Sequence, residues 1–340
     1  MKIADFVRGS KNLIWANSQT AWHVKFIQRK GGNAMTGTMI NALALTKVVD
    51  GDTIKVMLNS KEESLRLACL DTEESWPGGS KPVTEAGLRA SKWAKQWFGV
   101  NDDGFPDSAV SVDIEFDTSD PESTCIRKHR GNYDRLLCYV HKNGKNYNLA
   151  AVKEGWSPYF VKYGRSRLYH EDFLDAEREA QAKEIGVWNK EINAGGAHRE
   201  YDRLIPWWYL RDGIVQEYRE KGADAGVVSV RLDYEEIQAA ALAGDHLRIL
   251  CDLQGGVSRW PQGGALIFAG SITHKFNLWI PDRESAGAQQ ILRLVEKRYT
   301  GYGRGYVYVS GTASRYPDND SGKPEIILTD ASQLSDLPPT

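Results

Sequence analysis

Apolar and polar positions along this chain fall into two separate sets of short alternating runs, each broken by a stretch of helical period. In the first set, β-branched and aliphatic residues alternate through about 42–49, 53–58 and 63–70. Turns are expected at Asp50-Gly51 and Asn59-Ser60-Lys61, because Asp-Gly between two such runs is a strong hairpin signal. Residues 84–98 then read as a helix: Thr84 can cap it, Glu85 lies in the first turn, and Ala86, Ala90, Trp93, Ala94 and Trp97 recur on one face. Further strands are predicted near 110–116 and 135–140, with Asn143-Gly144 as another turn. Helices at about 148–154 and 170–185 should stop at Gly155 and Gly186.

The second set begins at Leu247-Arg248-Ile249-Leu250 and continues through Ala265–Phe268 and Phe276–Ile280. A helix at about 286–299 follows, with Ile291, Leu294, Val295 and Arg298 near one face, and then strands at Tyr306–Gly311 and Pro324–Thr329. Three strands, a helix and two strands, twice over, are compatible with OB-type barrels, an architecture that binds oligonucleotides. Periodicity alone leaves other mixed α/β arrangements open. The fold class expected is mainly β with helices (α+β), a five-stranded OB-type barrel followed by a second OB-like barrel, an assignment that leans on the family likeness carried by the candidate site residues.

Length agrees with two domains, since 340 residues exceed the usual size of one. The expected division is an N-terminal extension (1–40), a first barrel domain (41–190), a connector (191–240) and a second barrel domain (241–335). Trp15 and Trp22, with Leu13, Ile14, Val24, Phe26 and Ile27, form the packed element expected in the extension. In the connector, which should hold some helix, Ile205-Pro206-Trp207-Trp208-Tyr209-Leu210 is a dense aromatic knot, expected to pack against one of the two domains, with a membrane interface, a partner site or a base-stacking platform as the alternatives. The glycines at 301, 303 and 305 punctuate the second barrel's helix-to-strand junction.

Four widely spaced cysteines lack the density of a disulfide scaffold, and Cys69 and Cys138 read as small buried hydrophobes. The absence of an 18-residue apolar run argues against a membrane span, and the N-terminus lacks an apolar secretory core. A cytoplasmic protein is expected, with secretion left open. Net charge is −2, unlike a whole-protein nucleic-acid binder, but charge is locally segregated. Residues 101–124 hold eight carboxylates and no Lys or Arg, and Arg127-Lys128-His129-Arg130 follows directly. That cluster suits phosphate-backbone contact if a site lies beside it; alone it reads as a solvated loop.

The candidate chemistry lies at the ends of the first set of strands. Asp50-Gly51-Asp52-Thr53 is followed by Arg66, five residues before Asp71-Thr72-Glu73-Glu74, and later by Tyr133-Asp134-Arg135. These residues, in this order, resemble the thermonuclease (staphylococcal nuclease-like) family. Tyr147-Asn148-Leu149-Ala150-Ala151-Val152 with Gly155, and Glu179–Lys183 ending at Gly186-Val187-Trp188, extend the likeness over about 42–190. Residues 322–334 resemble, more weakly, the last strand of bacterial OB modules.

The family resemblance implies a calcium-dependent phosphodiesterase acting on DNA and RNA with little sequence preference, breaking the bond to the 5′ oxygen and leaving 3′-phosphate ends. It implies Ca2+ held by Asp52, Asp71 and the Thr72 carbonyl, because a hard cation takes oxygen ligands. Arg66 and Arg135 become phosphate clamps, a role suited to the bidentate guanidinium. Glu74 becomes the general base or the group that positions water. Tyr133, Arg127, Lys128, Arg130, Tyr159 and Tyr163 become substrate contacts, with core packing an equal expectation for Tyr159 and Tyr163. Asp50 should shape the hairpin behind the site. The sequence departs from the family pattern at Glu73, where Pro is usual, adding a carboxylate and removing a backbone restraint. The second domain is assigned to binding or assembly, through a protein partner or self-association. The competing class is a catalytically weak or inactive nucleic-acid-binding or scaffold protein.

Overall fold

Strand β1 (Thr38–Val48) is long enough to belong to both sides of a barrel, and it bends to do so. Its first half pairs antiparallel with β4, from Thr38 opposite Phe116 to Ala44 opposite Ser111. Its second half pairs with β2, from Ala44 opposite Met57 to Val48 opposite Ile54. Register shifts between Ile40 and Leu43 and between Leu45 and Lys47 supply the bend, and Ala42 takes a φ of 59° within the first. In this computed structural model, residues 35–78, 82–192, 199–253, 255–319 and 321–338 are described. The packed element expected around Trp15 and Trp22 lies outside them.

The remaining strands close the barrel: β2 (Thr53–Leu58), β3 (Lys61–Leu67), β4 (Ser111–Phe116) and β5 (Leu136–Lys142). β2 pairs antiparallel with β3, β3 runs parallel to β5 with Leu65 beside Leu136, and β5 returns through β4 to β1. Leu45, Val48, Ile54, Val56, Leu65, Leu67, Val112, Ile114, Cys138 and Val140 fill the interior. A short β6 (Lys145–Asn146) completes the Asn143-Gly144 hairpin.

Helix α1 (Glu85–Phe98) starts where the capping signal places it: the Thr84 hydroxyl accepts the Gly87 N–H at 3.0 Å. It buries Ala86, Ala90, Ala94 and Phe98, while Trp93 and Trp97 pack on Tyr147. The stretch read as a basic loop contains a helix, α2 (Glu122–Lys128), which buries only Cys125 and so shows no apolar period. α3 (Tyr147–Lys153) and α4 (His170–Ala182) end close to the two expected glycines. Gly155 and Gly186 both take positive φ and pack against each other, and a Cβ on Gly186 would stand 2.0 Å from the Gly155 carbonyl oxygen. No larger residue fits there.

The second half begins with α5 (Tyr201–Glu217), β7 (Val228–Ser229) and α6 (Tyr234–Ala243). Next come β8 (His246–Asp252), β9 (Val257–Arg259), β10 (Ala265–Phe268) and β11 (Asn277–Ile280). α7 (Ala286–Leu294), β12 (Tyr306–Tyr316), β13 (Lys323–Ile327) and β14 (Leu334–Ser335) follow. β8 and β9 act as one strand broken in the middle: β8 pairs with β12 and β9 with β10. With that strand counted once, the order repeats the first barrel, including a parallel pair, β11 with β13, and a helix between the third and fourth strands.

The aromatic knot lies on α5 and packs to both sides. Trp208 is buried in the first core against Phe160 and Tyr201. Trp207 donates its indole N–H to the Gly303 carbonyl at 2.7 Å and packs on Tyr302, next to the second barrel. One turn on, Arg211 is fully buried, paired with Asp252 and stacked over Tyr306. Gly305 makes room for it, since a Cβ there would stand 1.6 Å from an Arg211 nitrogen. The cysteines are free thiols; Cys125, Cys138 and Cys251 are buried and Cys69 is half-buried. Among the described residues, no helix is long and apolar enough to cross a membrane.

Candidate active site

Topology brings the charged ends of three strands together. Because β2 and β3 are antiparallel, Thr53 at the start of β2 lies opposite Arg66 near the end of β3. Because β5 runs parallel to β3, Arg135, just before β5, arrives beside the same strand. Asp52 precedes β2, and Asp71 to Glu74 follow β3.

Arg66 is the centre of the cluster. One guanidinium nitrogen contacts Asp52 and the other donates to Asp71 Oδ1 at 2.8 Å. Burial opposes its charge, and Asp52 and Asp71 more than offset that, so its pKa is raised. Asp52 is held from its other oxygen by the Thr72 N–H at 2.9 Å and the Thr72 hydroxyl at 3.2 Å. Thr53 donates to Asp52 Oδ1 and accepts from Arg135 Nη1 at 3.2 Å, which places the second guanidinium in the same network. Burial and the repulsion of Arg66 lower the Arg135 pKa. Asp50 caps the turn by accepting the Asp52 N–H at 3.0 Å; burial and the Asp52 charge push its own carboxyl up to about 7.

Glu74 is placed by its backbone. Its carbonyl accepts the Thr84 N–H at 3.1 Å, and Gly87 packs so closely that a Cβ there would stand 2.0 Å from the same oxygen. The start of α1 thus sets the position of Glu74.

The outlying candidates divide. Tyr133 is 68 % exposed, with its ring centroid 5.7 Å from the Arg135 guanidinium carbon. Tyr159 is taken by the core, stacked on Phe173 at 4.8 Å, with its hydroxyl accepting the Ser166 N–H. Tyr163 stands beside Lys162 and the buried Arg211, on the side of α5. Arg127 pairs with Glu235 of α6, and Arg130 is held by Glu63 and by the carbonyls of Ile126 and Asp134. Lys128 is half-buried in the last turn of α2.

Two residues that sequence reasoning missed complete the site, and both come from the connector. Arg199 contacts the Asp71 carboxylate, reaches the Asp71 carbonyl at 3.3 Å and donates to the Thr72 carbonyl at 2.6 Å. Its backbone N–H donates to Glu73 Oε1 at 3.3 Å, and Tyr201 donates its hydroxyl to the same oxygen at 2.5 Å. Glu73, the odd acid of the motif, is almost fully buried by this pair. A buried carboxylate requires a partner, and that was the signal available in the sequence.

The donor set suits a hard cation in kind. Asp71 offers a carboxylate and a carbonyl and Thr72 a carbonyl, and all three address one cationic group, with the Asp52 charge close enough to raise the Arg199 pKa. That cationic group is the Arg199 guanidinium.

Among known proteins, residues 114–190 match the family described as "Staphylococcal nuclease homologue", a stretch that holds Tyr133 and Arg135. Endonuclease YncB of Bacillus subtilis is 32% identical over 148 residues, 44% of this chain and 62% of the relative, so the match spans less than two thirds of that protein. Thermonuclease of Staphylococcus intermedius is 27% identical over 146 residues, 42% of this chain and 74% of the relative. Uncharacterized protein MJ1439 of Methanocaldococcus jannaschii is 30% identical over 163 residues, 43% of this chain and 70% of the relative. With a closed barrel of this strand order and with relatives matched over most of their length, the chain belongs to the staphylococcal nuclease homologue family.

Proposed function

We propose that this protein is a calcium-dependent endonuclease that hydrolyses DNA and RNA phosphodiester bonds with little sequence specificity. The observation that carries the reading is the single network joining Asp52, Arg66, Asp71 and Arg135 at one end of the first barrel. A phosphodiester resists attack because its charge repels the nucleophile and because more charge gathers on the equatorial oxygens as water adds. Arg66 and Arg135 meet that charge with fixed donors that stay protonated at any working pH. Glu74 takes a proton from the attacking water as the new P–O bond forms. The bond to the 5′ oxygen breaks, a proton returns to that oxygen, and a 3′-phosphate end remains. Asp52, Asp71 and the Thr72 carbonyl would hold the calcium ion, which supplies polarisation of the phosphoryl oxygen. Tyr133, exposed beside Arg135, contacts phosphate or stacks on a base.

The test is cleavage of end-labelled single-stranded DNA and RNA in calcium and in chelator, with Glu74→Gln alongside and the product ends identified. Calcium-dependent cutting to 3′-phosphate ends, lost in the variant, is the expected result. One observation favours the other class, a protein that binds nucleic acid or a protein partner, or that assembles through its second barrel, without turnover. Arg66 and Arg199 already engage the carboxylates a cation would need. Retention of substrate without cutting, in every divalent cation tried, would assign the protein to that class.

A further inference from the structure

We infer that Arg199 is a built-in competitor of the divalent cation: it occupies the Asp71 and Thr72 oxygens, and the site admits a metal ion only when Arg199 withdraws. The inference rests on the reading of this site as a cation-dependent nuclease centre.

Three observations carry it. First, the contact is made to the oxygens themselves. One guanidinium nitrogen contacts the Asp71 carboxylate and the Asp71 carbonyl, and the other donates to the Thr72 carbonyl. A metal ion on Asp71 and the Thr72 carbonyl would stand against the guanidinium that already bridges those oxygens, so the two cations compete for one space and repel each other. Second, the arginine is seated firmly. Its side chain is 11 % exposed, and both of its terminal nitrogens are engaged by Asp71 and Thr72 oxygens. Third, its anchor is a buried acid. Glu73 is 4 % exposed, and the Tyr201 hydroxyl and the Arg199 backbone N–H both donate to it.

Arg199 and Tyr201 lie just before and at the start of α5, the helix that packs against both barrels. Rearrangement at this end of α5 is thereby linked to cation affinity. By reciprocity, a cation that binds drives Arg199 out as strongly as Arg199 resists the cation.

The experiment is titration of terbium, a calcium surrogate sensitised by nearby aromatic rings, into metal-free full-length protein, with calcium competition and parallel thermal melts. Arg199→Gln should bind about tenfold tighter or more than the parent chain. It should melt lower than the parent in chelator, because Asp71 and Glu73 lose a cation, and it should recover in calcium. If Arg199→Gln does not fold, Tyr201→Phe keeps the charge and removes one anchor of Glu73; it should also bind tighter, by a smaller factor. Equal affinity in the parent and the folded variants overturns the role of Arg199 and leaves the nuclease reading standing. Weaker binding in Arg199→Gln overturns it too, since Arg199 would then build the site. Binding by none of them overturns both this inference and the cation-dependent reading.

Discussion

Arg211 of α5 and Asp252 at the end of β8 form an ion pair at 2.7 Å, with the guanidinium side chain wholly out of water. The pair joins the connector helix to the second barrel, and Gly305 leaves the space it needs. Removing the acid strands a buried charge, which costs more than the pair itself contributes. Asp252→Asn should therefore lower stability by about 3 kcal/mol. Urea titrations read by intrinsic fluorescence check this; a midpoint unchanged from the parent would mean that water reaches Arg211.

The phosphate clamps give a direct activity test. Lys offers one compact charge where Arg offers two directed donors. Arg135→Lys should cut turnover by about 10²-fold or more with the fold intact. Arg66→Lys should do the same and also lower the melting temperature, because Lys cannot reach Asp52 and Asp71 together as Arg66 does. Rates equal to the parent would remove the clamp assignment.

Gly87 reports on the placement of Glu74. Gly87→Ala forces a methyl against the Glu74 carbonyl, and the backbone of the site must move. Misplacement of a catalytic group by about 1 Å costs on the order of 10²-fold in rate. Turnover should fall far more than substrate affinity, as single-turnover kinetics and a filter-binding titration would show side by side.

The pH dependence of stability has a clear candidate in Glu177. This buried carboxyl accepts the Tyr159 N–H at 2.8 Å, and burial pushes its pKa up to about 7 from an ordinary 4.5. The folded state thus keeps its proton where the unfolded chain has lost it, so stability falls as pH rises from about 4.5 to 7 and is flat beyond. The loss is on the order of 3 kcal/mol. Glu177→Gln should lessen this slope and leave the part that Asp50, also raised to about 7, contributes. Denaturant midpoints across pH 5 to 8 decide it, and identical slopes in parent and variant would count against the assignment.

How far the sequence discloses the molecule depends on which forces wrote each part. β1 to β5 and α1 are legible because each has one buried face, so apolar residues recur at the period of the element. α2 is hidden because seven residues with one buried side chain carry no period. α5 is legible only as some helix in the connector, without bounds, because its apolar residues face two cores and smear into an aromatic block. Within the site, Asp52, Arg66, Asp71 and Arg135 are legible through motif order, and the strand pairing brings them together. Arg199 is not legible, because its contact with Asp71 spans 128 positions and depends on where the connector lands. Glu73 held the only trace of it. Conversely, the basic cluster reads as a phosphate surface, while Arg127 and Arg130 are engaged by Glu235 and Glu63, acids far away in sequence.

The double seating of Trp207, packed at the edge of the first core and bonded to Gly303 of the second half, has a mechanical meaning. Neighbours on a helix point about 100° apart, so Trp208 sinks into the first core while Trp207 spans from that core to Tyr302 and Gly303. α5 is then a shared wall and not a tether. Torque applied to one barrel reaches the other without slack, and neither can melt without baring half of the wall to water. In a calorimeter, residues that a domain map would split in two should give one endotherm.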